Sequence, residues 1–192
     1  MKAIVCTKYG SADVLQLKEV EKPTPKDNEV LVKVFASSVT AADSMMRQGT
    51  PFYGRFFIGL MKPKNPITGT GFAGVIEAVG KEVRLFKIDD SVFGETGVGF
   101  STNAEYVCLP DEGVLATLPN NMTFEEAAPI CDGALTSLSF LKDIGKIQNG
   151  QRVLINGASG SLGSSAVQIA KYFGAEVTGV CSTTNLDMVK SL

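Results

Sequence analysis

The chain has 192 residues, 44% hydrophobic and 20% charged, with 18 Lys and Arg against 20 Asp and Glu. That length admits one large core or two small domains. A net charge of −2 without any basic run argues against binding nucleic acid or an anionic membrane by phosphate neutralisation.

Histidine is absent, which removes the commonest general base and the commonest zinc ligand. Ser-His-Asp and Cys-His nucleophile systems are therefore excluded within this chain. Cys6, Cys108, Cys131 and Cys181 lie far apart without C-x-x-C spacing, so reduced thiols of a cytoplasmic protein are expected. No segment has the length and apolarity of a signal peptide or a membrane span, and no membrane partner is expected.

Residues 1–120 carry short β signals separated by turn residues such as KPTPKDNE, KPKNP and KIDDS. Strands are predicted near Ala3–Cys6, Val14–Leu17, Val30–Phe35, Gly74–Val79, Ser91–Phe93 and Ala104–Leu109. So many short strands suggest a small, partly open barrel. AADSMMRQ, residues 41–48, reads as one short helix, and 51–65 as a loop. After about residue 120 the pattern turns helical: Thr123 and Glu126 stand at capping-box spacing. Pro129 and Gly133 should divide a short helix from a longer one, roughly Ala134 to Ile144. Gly150 then turns the chain into a strand at Arg152–Asn156.

That strand leads into Gly157, Gly160 and Gly163, a G-x-x-G-x-x-G turn opening a helix. The first glycine permits a tight turn, the second lets backbone approach a pyrophosphate, and the third lets helix and strand lie close. Amides of Ser161, Leu162 and Gly163 at the helix start, with Ser159 beside them, suit phosphate oxygens. Leu162, Ala166, Ile169, Ala170 and Phe173 make the expected apolar stripe, and Glu176–Cys181 returns as a second strand. Strand, turn, helix and strand together point to a dinucleotide site, against the plainer alternative of a βαβ unit with no ligand. The second strand ends in Ser182-Thr183-Thr184-Asn185 without the carboxylate that grips an NAD ribose. NADP(H) is thus expected over NAD(H), held by Ser182, Thr183 and Thr184.

In these motifs and across its length, the chain resembles the zinc-independent, quinone-oxidoreductase-like branch of the medium-chain dehydrogenase/reductases. YGSADVLQLKEVEKPTPKDNEVLVKV is similar to that family's opening strands, and SSVTAADSMMRQG to its V-N-x-x-D-x-x-x-R-x-G segment. Thr40 takes the usual Asn position there, while Asp43, Arg47 and Gly49 match. GFAGVIEAVGKEVRLFKIDDSVFG, GALTSLSFL and VLINGASGSLGSSAVQIAKYFGAEVTGVCST carry the resemblance to the end. Departures stand at Gly71 (usually acidic), Thr184 (often Arg), Cys131 (commonly Pro) and Asp89 (commonly Gly). Where zinc-dependent relatives carry G-H-E and a ligand Cys, this chain has Gly69-Thr70-Gly71, Ser37 and Ser38, so no zinc is expected.

The resemblance implies an α/β plus β fold. Residues 1–120 would form a GroES-like, partly open β-barrel catalytic domain, and 121–192 the first βαβ unit of a truncated Rossmann domain. It implies hydride transfer from a nicotinamide to a quinone, enone or similar small electrophile, in a complete enzyme that is a homodimer. Nicotinamide would lie in the cleft between domains, within reach of Thr40, with the Thr136 hydroxyl beside the cofactor. Thr40 as a turn hydroxyl and Thr136 bonded to its own helix are the plainer alternatives. Tyr53 is a candidate proton donor or stacking group, or an ordinary loop aromatic. Asp43 and Arg47, four apart on a short helix, are expected to pair on its surface. A short-chain dehydrogenase would place its glycine motif near the N-terminus and does not fit a motif starting at 157. The competing class is a non-catalytic binding or structural module. Two strands where a doubly wound sheet uses about six suggest a piece of a longer enzyme, inactive alone.

Overall fold

The computed structural model describes residues 1–192, the side chain of Val98 aside. It divides into two compact units, Met1–Pro129 and Ile130–Leu192.

In the first unit, β1 (Lys2–Cys6) pairs antiparallel with β2 (Leu15–Glu19). A five-stranded antiparallel sheet follows in the order β6-β3-β4-β5-β7. Its strands are β3 (Glu29–Ser37), β4 (Gly71–Val79), β5 (Ser91–Glu95), β6 (Tyr106–Pro110) and β7 (Val114–Thr117). Alternation puts Val30 and Val32 of β3 on one face, where they join Phe72, Ile76, Val92, Val107 and Leu109 in the main core. Register shifts after Leu31 and Val34 in the β3–β4 pairing increase local twist and curl the sheet into a half-barrel. Gly74 sits at this bend, where a Cβ would overlap the Lys33 carbonyl oxygen. β7 follows the Pro110–Gly113 turn and has only four residues, too short a run for its pattern to mark it as a strand.

Two helical pieces matter for the site. Helix α1 (Ala41–Gln48) has the bounds its sequence suggests and ends on Gly49 in the left-handed region, φ 65°. Residues 51–65 are not simply a loop: a 3-10 turn (Phe52–Gly54) runs into α2 (Arg55–Ile58). Helix α3 (Phe124–Ala127) carries the expected capping box, Glu126 N donating to Thr123 Oγ1 and Thr123 N to Glu126 Oε2. It packs Ala127 and Ala128 on Ala73, and Phe124 stacks on Phe35 with centroids 5.1 Å apart. For that reason the first unit extends to Pro129, beyond the change in sequence character near residue 120.

The second unit opens with a helical run whose middle turn is α4 (Thr136–Leu138), with π-helical turns at Cys131–Leu135 and Ser139–Ile144. Gly133 does not divide it. Instead it is buried where a Cβ would crowd Ser161 Oγ at 2.7 Å, so it admits a neighbouring helix. Strand β8 (Arg152–Asn156), helix α5 (Ser161–Tyr172) and strand β9 (Glu176–Val180) complete a βαβ unit, with β8 and β9 parallel. Helix α6 (Leu186–Ser191) follows. The buried face of α5 is Gly163, Val167 and Ala170, with Ala166 packed on the same cluster, so the expected stripe holds at Ala166 and Ala170 and is corrected at Leu162. Leu162 is exposed, because Gly163 is the residue that touches the turn below.

Candidate functional site

The three glycines of the turn do three different things. Gly157 has φ +75°, a conformation that L side chains rarely adopt. Its amide and that of Ala158 both donate to the Val180 carbonyl, each at 2.9 Å, tying the turn to the end of β9. A Cβ at Gly163 would overlap the Gly157 carbonyl oxygen, so only glycine lets α5 lie this close. A Cβ at Gly160 would have no neighbour nearer than 3.5 Å. The protein itself therefore does not require glycine at 160; clearance above it is what the residue provides.

Gly160 is also the N-cap of α5, and no side chain caps that helix. The first amides, at Ser161, Leu162 and Gly163, have no intrahelical acceptor and sit at the positive end of the helix dipole. Asn185 Nδ2 donates to Ser159 Oγ at 3.1 Å, joining the turn to the Thr183–Asn185 3-10 turn. Ser182 Oγ and Thr184 Oγ1 share a 3.1 Å hydrogen bond, and Ser182, Thr183 and Thr184 are exposed. One end of the β8–β9 pair thus gathers uncapped amides, serine hydroxyls and a hydroxyl-rich strand end. Thr136 is exposed on α4, whereas the neighbouring Ser137 is buried and donates to the Leu162 carbonyl at 2.8 Å. Ser137 anchors the start of α5; a pattern of G-x-L-T-S gives no local sign of which hydroxyl turns inward.

In the first unit Thr40 is the N-cap of α1. Its hydroxyl accepts from Asp43 N at 3.3 Å and donates to Asp43 Oδ2 at 3.0 Å, while Thr40 N donates to the same oxygen at 2.8 Å. Asp43 is buried, and its other oxygen accepts from Gly69 N at 3.2 Å. The expected surface pair of Asp43 with Arg47 is therefore corrected: Arg47 Nη1 donates to the Gly10 carbonyl at 2.6 Å. Asp43 acts as a bracket between α1 and the Gly69 turn. Tyr53 stands 70% exposed on the 3-10 turn. Asp89, with φ 72°, occupies the left-handed region its turn demands.

The donor set for metal is sparse. The chain has no histidine, Ser37 donates to Asn103 Oδ1 at 3.0 Å, and no three of His, Cys, Asp and Glu gather among the described residues. Burial pushes the Cys108 thiol up to about 11, helped by the Glu29 charge, so it stays protonated and poorly nucleophilic. No helix is long and apolar enough to cross a membrane.

Residues 26–120 match the alcohol dehydrogenase GroES-like domain. Over 185 residues the chain is 38% identical to a quinone oxidoreductase of Sus scrofa, covering 95% of this chain and 53% of that protein. It is 34% identical to a 2-methylene-furan-3-one reductase of Solanum lycopersicum, covering 100% of this chain and 50% of the relative. Among solved structures, a quinone oxidoreductase from Coxiella burnetii superposes with a TM-score of 0.88 at 29% identity, covering 100% of this chain and 59% of its own. The enoyl reductase CurK gives 0.89 at 30% identity, covering 99% and 57%. The chain belongs to the medium-chain dehydrogenase/reductase superfamily. Within it the similarity runs to quinone oxidoreductases and enoyl reductases, and the chain spans about half the length of the curated relatives it matches.

Proposed function

We propose that this protein is part of an NADPH-dependent, zinc-independent oxidoreductase that reduces a quinone, enone or similar electrophilic carbonyl compound. The observation that carries the reading is Gly160, whose side-chain space has no protein atom nearer than 3.5 Å and lies directly beside uncapped helix amides. A pyrophosphate fits that clearance and those donors. The relatives named as quinone oxidoreductases support the reaction class.

In this reading Gly157 shapes the turn, Gly160 clears room for phosphate, and Gly163 seats the helix. The amides of Ser161, Leu162 and Gly163, with Ser159, hold phosphate oxygens. Ser182, Thr183 and Thr184 hold the ribose end, and the lack of a carboxylate there favours a 2′-phosphate over a bare hydroxyl. Bound NADPH supplies a hydride for the acceptor. Asp43 and Thr40 fix α1 as positioning residues. Thr136 lies exposed on α4 for the nicotinamide end, and the exposed Tyr53 hydroxyl donates the proton that accompanies reduction. No residue set here suits a catalytic zinc, since imidazole is lacking altogether.

Residues 1–192 by themselves turn over nothing in this account. Their two parallel strands offer only part of one half of a dinucleotide crevice, which in doubly wound folds forms where two three-stranded halves meet. The protein is expected in the cytoplasm, acting on a small molecule rather than on nucleic acid, and as a homodimer when complete. The test is NADPH oxidation with a quinone acceptor by the product of the whole reading frame, after chelation of metals. Chelation-resistant turnover supports the proposal. Absence of NADPH and NADH oxidation with quinones and enones alike favours the non-catalytic module.

A further inference from the structure

The first unit encloses a cavity of about 420 Å3 that the dinucleotide reading leaves without a role. Its apolar lining is Met46 of α1, Phe56, Phe57 and Ile58 of α2, Pro63, and Phe100. Two cations, Arg47 and Lys64, also reach it. Against these two cations stands one carboxylate, Asp43, hydrogen-bonded by Thr40 and Gly69, so the cavity presents apolar walls with a small net positive charge. Its size falls within the roughly 300–1,000 Å3 of small-molecule sites.

Two further features point to a ligand. Phe56 and Phe57 line this cavity yet are 66% and 78% exposed, an aromatic mouth that the described residues do not cover. Phe100 reaches the cavity from a turn in which Phe100 and Ser101 have φ 52° and 86°. Successive non-glycine residues in that region cost stability, and such strain concentrates at ligand clamps. A glycine at 100 would relieve it, but would remove the ring from the wall.

We propose that this cavity receives the alkyl tail of a lipophilic quinone, entering past Phe56 and Phe57 and packing on Met46, Ile58 and Phe100. Arg47, which also holds the Gly10 carbonyl, and Lys64 disfavour a cationic ligand and suit the partly negative carbonyl oxygens of a quinone. The inference rests on the quinone-reducing reading, and narrows the acceptor to one with an apolar tail.

The experiment measures binding of decylubiquinone to the 192-residue chain without nucleotide, beside the same ring carrying methyl in place of the decyl chain. Both rings carry the same methoxy groups, and Cys6 is buried with its thiol pushed up by burial, so thiol substitution does not distinguish the two compounds. The decyl compound is expected to bind at least about tenfold more tightly, the worth of two buried methylenes. Phe57→Asp, at an exposed position, should remove that preference, and Tyr172→Asp, at an exposed position of the other unit, should leave it. Phe100→Gly should lower the preference without lowering Tm. Equal affinity for the two quinones, or a preference untouched by Phe57→Asp and Phe100→Gly, overturns the inference. Equal binding beside normal NADPH-dependent quinone reduction by the complete gene product leaves the reading standing and the cavity assignment wrong. A tail preference lost in both variants, with no such reduction, does the reverse.

Discussion

The two units reach stability by different routes. The first builds a five-stranded curled sheet whose seven-residue core cluster is Val, Leu, Ile and Phe. The second has two strands, and its buried cluster is Ile155, Ala158, Val167 and Ala170. Leu154 of β8 is 68% exposed, so apolar burial there is confined to the face that α5 covers. Glycines permit close backbone approach in both units, at Gly74 and Gly94 in the sheet and at Gly133 and Gly163 around α5. The units differ in the side chains they bury: large apolar residues in the sheet unit, mostly alanine and small aliphatics in the βαβ unit.

The largest effects are expected from substitution within the glycine turn. Gly163→Ala forces a Cβ into the Gly157 carbonyl oxygen, an overpacking cost of about 1–3 kcal/mol. Thermal unfolding should show the second unit melting earlier, with dinucleotide affinity lost beside it. Gly160→Ala meets nothing close, so its Tm should hold while NADPH affinity falls at least about tenfold. Equal effects of the two substitutions on stability would contradict the separate roles given to these glycines.

In the sheet unit the corresponding test is Asp43→Ala, which strips partners from Thr40 N and Gly69 N. Gly69 N is buried and Thr40 N half-buried; leaving the buried donor unpaired costs about 1–3 kcal/mol, and chemical denaturation should register a loss of about that size. A loss under about 0.5 kcal/mol, the level of an exposed helix pair, would restore the surface-pair view of Asp43.

How far the sequence disclosed these features depends on the range of the interactions. Local signals read true: α1 at Ala41–Gln48, the Thr123–Glu126 capping box and β8 at Arg152–Asn156 rest on spacing within a few residues. The burial of Asp43 rests on Gly69, 26 residues away, and the i, i+4 spacing with Arg47 fits a surface pair as well as a bracket. Gly133 reads as a helix breaker until α5 is seen packed against it. Of the expected α5 stripe, Ala170 is buried and Ala166 packs on the same cluster, whereas Leu162 is exposed because the close contact is made by the glycine beside it. Ser137 and the Phe100–Ser101 turn left no local pattern at all.

Smaller effects sharpen the cofactor assignment. Thr184→Arg should tighten NADPH by roughly tenfold through one charge-assisted hydrogen bond, and Thr184→Asp should turn the preference toward NADH. Isothermal titration with both nucleotides reads this directly, and indifference to both substitutions removes the strand end from the site. Tyr53→Phe should lower kcat of the complete gene product by less than about tenfold, since solvent also supplies protons at so exposed a position.

The smallest effect concerns pH. The Cys108 thiol is raised by burial to about 11 from an ordinary 9.0, so folding favours its neutral form. Its contribution to stability is full below about pH 9 and is lost as pH rises through about 11. Cys108→Ala should flatten the decline in Tm over that window; an unchanged slope would locate the alkaline loss elsewhere.

The central claim is that a dinucleotide sits on the glycine turn, and backbone-amide NMR of the isotope-labelled chain titrated with NADPH tests it most directly. The account predicts the largest shifts at Ser159–Gly163 and at Ser182–Thr184, larger with NADPH than with NADH, and saturating only at high ligand concentration. Amides at those positions that stay still while others move, or that move identically for the two nucleotides, would contradict it.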